Sequence, residues 1–264
     1  MTQLHGVVYI VCLESLGSSA IIRFDAVTHQ RLADIALKGL SQPFDIAACE
    51  HTSSVYVADS DMYKAVYDID YREGVWRVSS DGEDVQPWQQ WSRSNRFSPH
   101  SLSVTSSRLL VTSRDTKQLR QFDAVGVELR RVDLPDYVTP QHAVESPTGT
   151  FIVCHRDAQL QQYQVSEFNT GGQVLRQFNG SRLLPLGTTE HIAADSQGNI
   201  LVTDCDNSRI LLLNSELALR RVIIDEHQLN HKWPLRLCYT EKSGQLLVAF
   251  DGGIDVVVFD VRRR

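Results

Sequence analysis

The segment HIAADSQGNILVTDCDNSRILLL, residues 191–213, sets two apolar runs on either side of Asp204, Cys205, Asp206 and Asn207. Either D-C-D-N gathers oxygens around a cation, or it turns the chain between two strands. The flanks decide between these. ILVTD and RILLL are short, rich in Ile, Leu and Val, and bounded by Gly, Asn and Asp, which marks strands rather than helices. Four other segments align beneath them: FDIAACEHTSSVYVADSD from Phe44, HSLSVTSSRLLVTSRD from His100, HAVESPTGTFIVCHRD from His142, and LRLCYTEKSGQLLVAFDGG from Leu235. A sixth, GVVYIVCLESLGSSAIIRFD from Gly6, matches from the second strand onward.

The equivalent residues Ile10, Val57, Val111, Val153, Val202 and Val248 are 47, 54, 42, 49 and 46 apart. Such a period marks supersecondary units that bury their faces only by stacking on neighbours. Two more strands usually follow within each copy, as in RILLLN (209–214) and LALRRVIID (217–225). Four antiparallel strands repeated six times predict an all-β fold, a six-bladed β-propeller. The repeats run over 6–38, 43–91, 99–135, 140–180, 188–225 and 233–261, in one domain covering 1–264.

D-C-D-N then falls where the other copies carry A-D-S-D (58–61), T-S-R-D (112–115) and C-H-R-D (154–157). This is the predicted turn between second and third strands, where Asp and Asn side chains bond nearby backbone amides. A calcium site would require about six to eight oxygen ligands, and the expectation is a flat calcium titration.

The pattern P-x-x-I-A-x-D-x-x-G-x-I-x-V-x-D-x-x-N-x-R-I, matched almost throughout by 188–213, resembles the NHL repeat. The likeness implies a propeller of NHL type with four-stranded antiparallel blades. It also implies a ligand face shared by the turns between second and third strands and the loops leading into the first strands. The first blade lacks an obvious first strand unless MTQLH supplies it, and the last stops at VVVFDVRRR, so both are expected to be incomplete. The chain resembles the C-terminal propeller of tripartite-motif proteins, which follows a RING, B-boxes and a coiled coil and selects the target for ubiquitin transfer. No cysteine cluster of such a front end is present in the sequence. Ligase activity would therefore belong to a longer parent protein.

Three features lie on that face. The second repeat carries an insertion at 59–74 that holds Asp61, Met62, Tyr63, Tyr67 and Tyr71; loops carry function and tyrosine with methionine is typical of protein interfaces. His142 and His191 share one position at the start of the first strand, Asp45 and Arg236 hold it in other copies, and His100 sits one residue earlier. These polar groups ring the mouth of the central channel; three histidines could hold zinc, but lining is the preferred reading and no cofactor or metal is assigned. Finally, residues 43–91 carry ten acids against three bases, while later loops show Arg93, Arg96, Arg114, Lys117, Arg156 and Arg182. A bipolar face favours oriented docking of a charged protein partner.

The bulk numbers narrow the class further. A 264-residue chain can bury about three quarters of its unfolded surface without staples. Five widely spaced cysteines with no C-x-x-C suggest reduced thiols and a cytoplasmic protein. No apolar run is long enough to span a bilayer, so no membrane partner is expected. The net charge of −6 argues against DNA and disfavours RNA, although a single-stranded RNA-binding propeller is one alternative. The other is a metal-dependent lactonase- or lyase-like enzyme with a site in the central channel. There is no G-x-S-x-G, H-E-x-x-H or Walker sequence to supply its chemistry, and the leading expectation is a non-catalytic protein-binding scaffold.

Overall fold

A computed structural model of the chain describes residues 1–13, 19–60, 73–91, 97–181, 184–241, 243–251 and 255–261. These residues form six antiparallel sheets, each from consecutive strands, five of them four-stranded and one three-stranded. The fold is an all-β, six-bladed β-propeller.

The chain divides into two compact units, Met1–Arg131 and Val132–Arg264. In the first, blade 1 contains β1 (Thr2–Leu4), β2 (Val7–Leu13), β3 (Ser19–Asp25) and β4 (Ile35–Ala36). Blade 2 contains β5 (Pro43–Cys49), β6 (Ser54–Asp59), β7 (Glu73–Ser79) and β8 (Val85–Trp91). Blade 3 contains β9 (Ser101–Thr105), β10 (Arg108–Ser113), β11 (Gln118–Phe122) and β12 (Glu128–Asp133).

In the second unit, blade 4 contains β13 (Val138–Glu145), β14 (Phe151–Asp157), β15 (Gln162–Phe168) and β16 (Val174–Phe178). Blade 5 contains β17 (Ile192–Ala194), β18 (Ile200–Asp204), β19 (Arg209–Leu213) and β20 (Leu219–Ile224). Blade 6 has only β21 (Pro234–Thr240), β22 (Gln245–Phe250) and β23 (Val256–Asp260).

Each second strand is buried on both faces because successive side chains alternate between two neighbouring blades. In β6 every residue is buried. Val55 and Val57 join Leu4, Tyr9 and Ile21 of blade 1 in one core cluster. Tyr56 and Ala58 join Leu109, Val111 and Phe122 of blade 3 in another. β18 repeats the device in the second unit: Ile200 and Val202 pack with Ile152 and Cys154 of blade 4, and Leu201 with Leu246 and Val248 of blade 6. Each such side chain contributes about 1.5–3 kcal/mol of burial. The recurring valine of the sequence repeat is therefore the centre of an interblade core.

The first blade is complete, since residues 2–4 of MTQLH supply β1, whereas the last ends at three strands. One expectation is corrected. Cys154–Asp157 was assigned to a turn, yet it continues β14, which pairs with β13 as far as Val138↔Asp157. Thr112 and Ser113, Ala58 and Asp59, and Asp204 likewise close their second strands, and the turns follow. No helix among the described residues is long and apolar enough to cross a membrane.

The aspartates of D-C-D-N are engaged in hydrogen bonds to the loop that leads into their blade. Asp204 is fully buried. Its Oδ1 accepts the Gly187 N–H at 3.0 Å and the Asn207 Nδ2–H at 2.8 Å, and its Oδ2 accepts Arg209 Nε–H at 2.7 Å. Asp206 Oδ2 accepts the Thr188 N–H and hydroxyl at 2.7 and 2.8 Å. Asp59, which holds the position of Asp204 in blade 2, accepts the Ser41 and Gln42 amides at 2.9 and 2.7 Å. The carboxylate ending the second strand thus pins the loop that leads into its own blade.

Candidate functional site

The first strands of the blades share a local construction. Pro43 and Pro234 each open a first strand, and Pro140 is the third residue of β13 beside a bulge, positions where a missing N–H is tolerated. A register shift follows each of them, so Asp45 pairs with Ala58, His142 with Cys154 and Arg236 with Ala249. The bulge adds one residue and re-aims the next side chain. In blade 5, Thr203 donates its N–H to the His191 carbonyl at 3.1 Å, next to the Ile192↔Val202 pair, which places His191 at the same register position. In blade 3 that position is Ser101, paired with Thr112, and His100 lies one residue earlier, as the sequence spacing implied. His100 is half-buried and rests on Phe44, ring centroids 5.5 Å apart.

In the second unit His142 and His191 are both buried, their rings 3.8 Å apart between centroids and tilted by 31°. The Thr203 hydroxyl accepts the His191 and Glu190 amides at 3.0 and 3.2 Å, fixing the backbone from which His191 projects. Burial, with the adjoining His142 ring and the Arg236 charge, holds His191 well below the ordinary imidazole range. It is therefore neutral near pH 7, with a nitrogen lone pair to offer. Its Nδ1 accepts the Leu237 N–H of blade 6 at 3.4 Å. Asp45, buried in the first unit, does the same across blades 2 and 3, where its Oδ2 accepts the Leu102 N–H at 2.9 Å. Leu102 and Leu237 are themselves equivalent, paired with Val111 and Val248. One register position thus carries an acceptor that ties each of these first strands to the next.

Within the second unit, His142 and His191 are buried groups able to ligate a metal ion. A pair of imidazoles suits zinc and related divalent ions. The fit has a local cost. A metal bond at His191 Nδ1 replaces the contact to Leu237, and one at Nε2 moves the ring proton to Nδ1 and ends it. At 3.4 Å that contact is at the long end of hydrogen bonding and is worth at most about 1 kcal/mol.

Of the other residues singled out from sequence, Arg114 and Arg156 are exposed, Lys117 and Arg236 half-buried. Arg156 is bonded to Gln161, and Arg236 donates from Nη1 to the Leu235 carbonyl at 3.1 Å. Asp61, Met62, Tyr63, Tyr67, Tyr71, Arg93, Arg96 and Arg182 lie outside the described residues. Sequence reasoning missed Thr203, Glu190 and His155. Strand alternation from Val202 could have placed Thr203 beside His191, and counting from Val153 could have set His155 at the position of Asp59 and Asp204. His155 is buried in β14, with Nε2 2.9 Å from the Ser166 hydroxyl and its ring 5.9 Å from Phe168.

No protein-family model matches the chain, and no curated protein matches it. Solved structures do. A protein of unknown function from Bacteroides caccae is 16% identical over 96% of this chain and 89% of its own, with a TM-score of 0.68. A chain of a nidogen/laminin complex is 15% identical over 97% and 89%, also at 0.68. A streptogramin B lyase is 12% identical over 91% and 75%, at 0.59. These likenesses extend over nearly the whole chain and concern the fold alone: it is a six-bladed β-propeller, with no family assigned by sequence.

Proposed function

We propose that this chain is a metal-dependent enzyme of lyase or lactonase type, with its divalent cation held by His142 and His191. The observation that carries the reading is the buried pair of imidazoles in the second unit, tilted by 31° with centroids 3.8 Å apart. His191 is held neutral by its burial, and an imidazole nitrogen is a ready ligand for a divalent cation. A bound divalent ion would polarise a substrate oxygen or make a bound water more acidic. Around it, Thr203 holds the backbone of His191, Glu190 is half-buried next in sequence, and Arg236 is near enough for its charge to depress the His191 pKa. In this reading Glu190 would accept a proton and Arg236 would hold an anionic oxygen. The whole-chain likeness to a streptogramin B lyase supports a propeller used for catalysis.

Elemental analysis of the purified protein, followed by zinc or manganese titration of the stripped protein, tests this. One equivalent is expected, with affinity lowered at least about 100-fold in His142→Ala and in His191→Ala. Binding that ignores both histidine substitutions would reject the reading.

A second reading, a protein-recognition propeller of NHL type within a longer ubiquitin ligase, is supported by the likeness to a chain of a nidogen/laminin complex and by the exposed Arg114 and Arg156. Five free thiols support a cytoplasmic location for it. Charge reversal at Arg114 and Arg156 is expected to lower partner capture from a lysate while leaving metal binding unchanged.

A further inference from the structure

We propose that His227 and His231, in the loop joining β20 to β21, together bind a divalent cation of the imidazole-preferring kind, zinc or copper, at the protein surface. The site is separate from the buried histidine pair and does not depend on it.

The loop reads D-E-H-Q-L-N-H over residues 225–231, and its backbone is held in one pose. The Gln228 N–H donates to Asp225 Oδ1 at 3.0 Å, and the Asp225 N–H to Gln228 Oε1 at 3.2 Å. This is the reciprocal capping that opens a helix-like turn. The Leu229 N–H then reaches the Asp225 carbonyl at 3.1 Å and the His231 N–H the Glu226 carbonyl at 2.9 Å, before left-handed backbone at Asn230 and His231 ends the turn. Leu229 anchors it, buried in one core cluster with Ile223, Ile224 and Leu237.

Four residues apart on such a turn, the two imidazoles are neighbours. Both are exposed, with ring centroids 5.6 Å apart and planes at 83°. An ion bound to one nitrogen of each ring at about 2.0–2.1 Å, in tetrahedral directions, sets the centroids about 5 Å apart. Small side-chain rotations therefore bring both rings onto one ion. Glu226 Oε1 is 3.9 Å from His227 Nε2, within reach of an ion or a metal-bound water at that nitrogen. His227 also lines a cavity of about 400 Å³ together with Asp206, Asp225 and Glu226. Three carboxylates there favour a cation, and the open space admits the waters that complete its coordination. Asp206 and Asp225 already accept bonds from Thr188 and Gln228, so the imidazoles choose the ion, and they suit zinc or copper rather than calcium. Exposed to water, the site fills at higher concentration than the buried pair, as a second and weaker equivalent.

Zinc titration followed by backbone amide resonances of the 264-residue protein tests this site by residue. The Gln228, Leu229 and His231 amides are expected to shift saturably in the wild type and in folded His142→Ala alike. His227→Asn and His231→Asn, both at exposed positions, are each expected to weaken that binding at least about tenfold and by similar factors, because losing either ring leaves a single ligand. Amides unmoved up to about 1 mM zinc, a loss confined to one of the two variants, binding at these amides that survives both, or shifts abolished in folded His142→Ala would each overturn the proposal.

Discussion

Replacing Asp204 by alanine is expected to lower the free energy of unfolding by about 3 kcal/mol, the lower end of the cost of breaking a buried ion pair. The carboxylate is fully buried and accepts three hydrogen bonds, from the Gly187 amide, the Asn207 side-chain amide and the Arg209 guanidinium. Arg209 is 14% exposed and also donates to the Pro185 carbonyl, which tempers its loss. Asp206→Ala removes bonds to Thr188 at an exposed site and should cost about 1 kcal/mol. Urea unfolding of both variants checks the ordering, and a calcium titration of the wild type should leave its midpoint where it was. Equal losses, or a calcium-dependent midpoint abolished by Asp206→Ala, would return D-C-D-N to the metal reading.

Acidification should unfold the protein more easily from about pH 6.5 downward, and His155 is the residue expected to dominate. Burial pushes its imidazole down to about 4, against an ordinary value near 6.5. Between these values the unfolded chain binds the proton and the folded chain does not, so stability falls as pH falls, by about 3 kcal/mol across the window. Glu73 works in the opposite sense. Burial raises its carboxyl despite bonds from the Ser60 and Ser98 hydroxyls, so acid protonates it in the folded state first. His155→Gln separates the two. Denaturation at pH 7.5, 5.5 and 4.5 should show a gap between wild type and variant that shifts in the variant's favour toward low pH. Parallel profiles would assign the acid sensitivity elsewhere.

The propeller was legible because its physics repeats. Each second strand must feed two interblade cores, so Val57, Val111, Val153, Val202 and Val248 recur with apolar neighbours on both sides, and the spacing between them is the spacing of blades. The shared position of Asp45, His142, His191 and Arg236 was legible for the same reason, as a fixed offset from those valines. What the sequence concealed was polarity inside paired strands. His155, Arg156 and Asp157 look like a turn, yet β14 pairs with both neighbours along its whole length. His155 could therefore be buried without any local signal. The stacking of His142 on His191 was equally hidden, since a register position fixes neither how close nor in what pose two rings meet. Nor do the residues that carry the NHL resemblance report on ligands: Asp195, Asp204, Asn207 and Arg209 all spend their side chains on turns and loops.

Among the described residues every blade is drawn from consecutive strands, with none lent to a neighbour. A single tandem duplication falling between two blades would thus deliver a whole sheet, with its own two-sided apolar strand. Ancestral genes of this architecture could gain or shed one unit at a time, and each unit could then diverge freely in sequence while its pattern of apolar alternation was kept.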